Sequence, residues 1–199
     1  MMIRKFVPEQ SAQGAFHVAS DAMADAIAAD MEQDGRPFSL FGHSMGAEFA
    51  FEVCARLEQK GINPRVLIVA GNNAPNRPET CAYHSSMGER ALLDELGREG
   101  GTPASVLQDE NFQKFLLPLI LADYRLFEGY EYRGYSVATP VIAHAATEDA
   151  DSPPSEVARW RDVARGSFKM EVFNGDHFFV HKLGDTYLQS VVREVVSAG

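Results

Sequence analysis

The sequence predicts an α/β fold, a mostly parallel sheet with helices on both faces, on three observations. Residues 65–70 (RVLIVA) and 140–146 (PVIAHAA) are continuous apolar runs without alternation, the pattern of strands covered on both sides. Segments with helical spacing of apolar residues separate such runs. A short apolar run at 38–41 (FSLF) passes through a glycine straight into an amphipathic stretch, a strand–turn–helix junction.

In chain order, Met23, Ile27 and Met31 repeat every four residues behind Ser20, so 21–33 is expected to be a helix capped by Ser20 and ended by Gly35. The strand at 38–41 stops at Gly42, and Phe49, Val53 and Leu57 then share one helical face until Gly61. Strands are expected at 65–70, 140–146 and 168–173. Pro153 and Pro154, behind Asp151 and Ser152, open a helix running to Arg165, and Leu188, Val191, Val192 and Val195 mark a last helix over 186–197. Residues 71–133 break the alternation with a polar loop and two helix-patterned segments, 89–96 and 111–127. That is too long for a plain crossover, and the expectation is one domain over 1–199 carrying a helical lid insertion at about 83–132. Phe112, Phe115, Leu116, Leu119 and Leu126 supply apolar surface to shape a pocket, with an additional packing layer as the competing account.

Composition narrows the function. A chain of 199 residues is long enough for one domain that buries roughly 70% of its unfolded surface. Eighteen basic against 28 acidic residues give a charge of −10, the wrong sign for binding nucleic acid or an anionic membrane. Two cysteines, Cys54 and Cys81, make no disulfide framework and suit a reducing compartment, so the cytoplasm is expected. Residues 1–20 carry Arg4, Lys5, Glu9 and Gln10 where a signal peptide needs an apolar run, and no stretch approaches a membrane span.

Gly42-His43-Ser44-Met45-Gly46 matches G-x-S-x-G at a strand-to-helix junction, the context that motif needs. The bare pattern arises by chance in about 5% of chains this long, so the context carries the weight. A turn this sharp is expected to require glycine at both flanking positions and to lift the Ser44 hydroxyl over a helix N-terminus, where the Met45 amide faces a developing oxyanion. The competing account makes Ser44 a helix N-cap. A nucleophilic serine needs a base and an orienting acid, which follow it in the order acid, then His, in an α/β hydrolase. Asp149 follows the strand at 140–146 and competes with Glu148 and Asp151; His177 follows the strand ending at Phe173 and competes with His181, His144 and His43. The His177/His181 pair lacks the glutamate of HExxH and any cysteine cluster, so no metal is expected, and no GxGxxG follows a strand.

GHSMG with the helix AEFAFEVCARL resembles the type II thioesterases that accompany nonribosomal peptide and polyketide synthases, which are α/β hydrolases. So do LPLILADYRLFEGYEY (117–132), PVIAHAATEDADSPPSEVARWRDVARGSF with its single Trp160, and FNGDHFFV (173–180). The resemblance covers nearly everything from Arg36 onward. It implies a Ser44–His177–Asp149 triad, an oxyanion donor at Met45, no cofactor, and hydrolysis of acyl thioesters from the phosphopantetheine arm of acyl or peptidyl carrier proteins. Asp176 stands where the family has a glycine and Ala150 where it often has a proline. The family's first strand and its His-Ala-Gly-Gly-like oxyanion turn have no counterpart, since only 43 residues precede Ser44. The expectation is therefore an N-terminally truncated member, with Met2–Val7 as a remnant strand and the strand at 38–41 short of a neighbour. A missing oxyanion donor typically costs about 10²- to 10³-fold in rate, which keeps open a catalytically weak carrier-binding relative. A general carboxylesterase is the third possibility.

Overall fold

The computed structural model describes residues 14–76 and 83–198. The expected strand at Met2–Val7, and Cys81, lie outside them. In chain order the elements are α1 (Ala15–Asp34), β1 (Leu40–His43), α2 (Met45–Gln59), β2 (Leu67–Ala70), a 3₁₀ turn (Ser85–Met87), α3 (Gly88–Glu99), α4 (Ala104–Leu107), a π-helix (Phe112–Leu116), α5 (Leu117–Glu128), β3 (Val141–Ala146), α6 (Pro154–Val157), a 3₁₀ helix (Ala158–Val163), β4 (Phe168–Phe173), α7 (Phe179–Lys182) and α8 (Asp185–Ser197). They fall into two compact units, one comprising 17–76 and 132–198, the other 14–16 and 83–131.

The larger unit holds a parallel four-stranded sheet in the order β1-β2-β3-β4. All four residues of β2 and all six of β3 are buried, because helices cover both faces. Leu67, Val69, Val141, Ala143 and Ala145 face α2, α6 and the 3₁₀ helix, against Ala50, Phe51, Cys54, Val157 and Trp160. Their neighbours Ile68 and Ile142 point the other way, onto Val191 and Val195 of α8. Two-sided burial is the physical cause of the unbroken apolar runs. Trp160 packs edge-on against Phe51 at 5.6 Å and donates from Nε1 to the Asn72 carbonyl at 2.8 Å, fixing the loop that leaves β2.

α1 is longer than its pattern suggests. It starts at Ala15, and Ser20 does not cap it: the buried hydroxyl donates back to the His17 carbonyl at 2.9 Å. An ionic cluster fastens α1 to α2, with Arg56 between the exposed Asp21 and the buried Glu52, and buried His17 Nδ1 3.2 Å from Glu52 Oε2. The helix expected to run to Arg165 is one α turn that tightens into 3₁₀ geometry and ends at Val163.

The smaller unit has a core of its own. Tyr83, Leu92, Leu96, Phe112, Leu117 and Leu121 pack together, with Tyr83 edge-on to Tyr124 at 4.9 Å. Asp109 Oδ1 accepts from the amides of Asn111 (2.8 Å) and Phe112 (3.0 Å), which starts the π-helix. Of the apolar residues singled out in this segment, Phe112 and Leu126 are buried, whereas Phe115 (60% exposed) and Leu116 (49%) face outward.

Candidate active site

β1 runs into α2 with Ser44 as the single residue between them. Ser44 has φ 54° and ψ −134°, and it is the one non-glycine residue at positive φ among the described residues. Such a conformation costs on the order of 1–3 kcal/mol and is held by its surroundings. Here Ser44 N–H donates to the Ala70 carbonyl at the end of β2 (2.9 Å), and the Ser44 carbonyl accepts from Ala47 N–H (2.8 Å). The hydroxyl makes no capping bond to α2, so the N-cap account fails.

The two motif glycines differ in why they are there, which corrects the expectation that the turn demands both. A Cβ on Gly42 would lie 2.0 Å from the Gly46 carbonyl oxygen and 2.7 Å from Ala47 Cα, whereas a Cβ on Gly46 would meet nothing within 4 Å. The crowding is one-sided because β1 passes directly beneath the first turn of α2. Met45, first in α2, has an amide among those a helix leaves without an internal acceptor.

Asp149 and His177 sit just beyond the carboxyl ends of β3 and β4. Thr147 N–H donates to the Phe173 carbonyl (2.9 Å) and Glu148 N–H to the Gly175 carbonyl (2.8 Å), so the strand pairing extends into both loops. The structure brings the three side chains together: His177 Nε2 lies 3.0 Å from Ser44 Oγ, and His177 Nδ1 lies 2.9 Å from Asp149 Oδ2. A carboxylate only accepts, so Nδ1 carries the proton and Nε2 is left to accept from the serine. Asp149 is 3% exposed, and its Oδ1 accepts from the amides of Asp151 (3.1 Å) and Ser152 (3.0 Å). Burial alone would push its pKa up; the His177 ring and the two amides outweigh burial and leave it below the ordinary aspartate value.

The competitors are engaged differently. Glu148 and His181 are exposed, and Asp151 contributes its amide to Asp149. His144 is buried against Phe173 and Tyr187, with Nδ1 2.9 Å from the Tyr187 hydroxyl. His43 donates from Nε2 to the His177 carbonyl at 2.8 Å, a contact with no signature in the sequence beyond adjacency to Ser44. Asp176 accepts from Phe178 N–H (3.1 Å) and pairs with Lys182, which holds its carboxyl below the usual range.

Residues 5–197 match the family described as the thioesterase domain. The chain belongs to the thioesterase family. Among its thioesterase relatives, the probable cadicidin biosynthesis thioesterase of Streptomyces griseus is 36% identical over 166 residues, which is 83% of this chain and 45% of that protein. The chain spans about half the length of the curated relatives it matches, 45% and 58% for the first two. The RedJ thioesterase of the prodiginine pathway in Streptomyces coelicolor superposes with a TM-score of 0.79 at 28% identity, over 92% of this chain and 71% of that one. The type II thioesterase YbtT, from yersiniabactin biosynthesis, gives 0.78 at 28% identity, over 90% and 74%. The α/β-hydrolase fold of these thioesterases is the fold of this chain, with its parallel sheet covered on both faces.

Proposed function

We propose that this chain hydrolyses acyl thioesters held on the phosphopantetheine arm of an acyl or peptidyl carrier protein. The observation that carries this is the chain of hydrogen-bond distances Ser44 Oγ–His177 Nε2–Asp149 at the N-terminus of α2. Family membership and the thioesterase names of the relatives support the thioester as substrate.

In the first half-reaction Ser44 Oγ attacks the thioester carbonyl carbon while His177 Nε2 takes the hydroxyl proton. The carbonyl oxygen becomes an oxyanion facing the Met45 amide and the positive end of α2. Collapse breaks the C–S bond, the pantetheine sulfur leaves with the proton from His177, and the acyl group stays on Ser44 as an ester. Water then attacks that ester, giving its proton to His177, and the second collapse returns the proton to Ser44 and releases the carboxylic acid. Asp149 keeps the proton on Nδ1 and stabilises the imidazolium formed twice per cycle.

The experiment compares an acyl-pantetheine thioester with the oxygen ester of the same acyl group, and with that acyl group on a carrier protein. Higher kcat/KM for the thioester, and a lower KM when the carrier presents it, is the expected result. Preference for the oxygen ester identifies a carboxylesterase instead. Carrier binding without turnover identifies a binding relative.

A further inference from the structure

His43 competes with His177 for the role of base in the sequence and is engaged quite differently in the structure. Its Nε2 faces the backbone carbonyl of His177 at 2.8 Å, and a carbonyl only accepts, so this nitrogen carries a proton. Burial is the main reason its pKa falls to about 4, which leaves the ring neutral with Nδ1 bare. The ring packs 5.0 Å from that of His177 and is flanked by Phe178, Phe179 and His181 at 6.1–6.4 Å. On another side the chain leaving β2 closes in: Gly71 has φ +56°, and a Cβ there would lie 3.1 Å from His43 Nε2 and 3.6 Å from Asp149 Oδ2. The ring thus occupies a fitted slot among all three members of the site, with its hydrogen bond going to backbone and not to a reacting side chain.

We propose that His43 is a positioning residue for His177, its donated hydrogen bond tying the loop that carries the base to the strand that carries the nucleophile. His177 precedes the short α7 and rides on a loop, whereas His43 is the last residue of β1 and is covalently next to Ser44. The bond therefore refers base and nucleophile to one rigid element, and Ser44 Oγ and His177 Nε2 keep their 3.0 Å spacing while the proton moves. Without the donor the loop loses its tie to β1 and keeps those to the residues after β3 and to Asp149, and a displacement of about 1 Å between reacting groups costs on the order of 10²-fold in rate. This inference rests on the proposed thioesterase chemistry for its kinetic consequence, though not for its geometric one.

The test uses the full chain with His43→Phe, a ring without a donor, and His43→Gln, whose amide nitrogen reaches the place of Nε2. On an acyl-pantetheine thioester, His43→Phe is expected to lower kcat about 10- to 100-fold with KM within about twofold of wild type, and His43→Gln to recover most of the loss. Proton NMR supplies a readout without substrate: the low-field resonance of the His177 Nδ1 proton, assigned by its absence in His177→Ala, should shift or broaden in His43→Phe and persist in His43→Gln. Should the Phe variant fail to fold, His43→Met is the second non-donor. Equal impairment by Phe and Gln, unchanged kcat in a non-donor, or an unaltered resonance in a folded non-donor overturns the proposal. If wild type turns over no thioester, the proposed function fails by itself, and the resonance still decides where His43 stands.

Discussion

At the scale of single residues, the Ser44 side chain stabilises the fold little. The Ser44 hydroxyl caps nothing, and its removal takes one oxygen from an already strained backbone position. Ser44→Ala should therefore lower thioester turnover by more than about 10³-fold with the melting temperature nearly unchanged. Residual turnover near the wild-type rate, with contaminating hydrolases removed, would sink the nucleophile assignment. His177→Ala should lose as much, because Ser, His and Asp act as a unit, whereas the exposed His181 should tolerate alanine. Asp149→Asn should also be nearly inactive: an amide can donate to Nδ1 and so favour the tautomer in which Nε2 no longer accepts. An inactive His181→Ala beside an active His177→Ala would transfer the role of base to the other histidine.

At the scale of elements, the strand-to-helix turn separates a steric need from a pattern. Gly42 admits no Cβ because the Gly46 carbonyl lies 2.0 Å from where it would sit, so Gly42→Ala should destabilise by about 3 kcal/mol or more, or prevent folding. Gly46 sits in the first turn of α2 with open space where its Cβ would be, and Gly46→Ala should be neutral or stabilising by up to about 1 kcal/mol. Urea unfolding of the two variants side by side checks both. Equal destabilisation would mean that the second glycine is also needed for packing.

At the scale of the whole molecule, burial of two histidines couples stability to pH. Burial lowers His43 and His144 from 6.5 to about 4, so both are neutral in the fold while the unfolded chain binds protons at each below about pH 6.5. The unfolded state then holds more protons, so stability is complete above pH 6.5 and falls as the pH drops toward 4, by up to about 3 kcal/mol per histidine at about 1.4 kcal/mol per pH unit. Asp149, with its pKa depressed, adds a further loss below about pH 4, as the pH falls through its folded value. Urea midpoints at pH 7, 6 and 5 should decline steadily, and His144→Gln should flatten that decline; a level profile in the wild type would contradict the buried neutral histidines. The segment 83–131 has its own core and yet leaves Phe115 and Leu116 exposed. If this segment is the lid, Phe115→Ser and Leu116→Ser should change kcat/KM for long against short acyl groups while leaving stability within about 0.5 kcal/mol. Lost stability with unchanged preference would make the segment a packing layer.

What the sequence determined by itself was what local pattern can encode. Unbroken apolar runs specified β2 and β3 because both faces of a covered strand must be apolar, and GHSMG between a strand and a helix specified the turn because Gly42 has no room for a side chain. Other local signals misled: Ser20 looks like a cap but bonds backward to a carbonyl because α1 already runs from Ala15, and Gly46 looks obligatory but is not crowded. Local pattern left Glu148, Asp149 and Asp151, and four histidines, in competition; only the tertiary structure decided which of them touch, His177 meeting Ser44 and Asp149 meeting His177. Those side chains lie 133 and 28 residues apart along the chain and become neighbours only when β1, β3 and β4 align in register and their carboxyl ends converge. The contact of His43 with the His177 carbonyl belongs to the same class, because a hydrogen bond to a distant backbone oxygen leaves no periodicity, spacing or composition behind it.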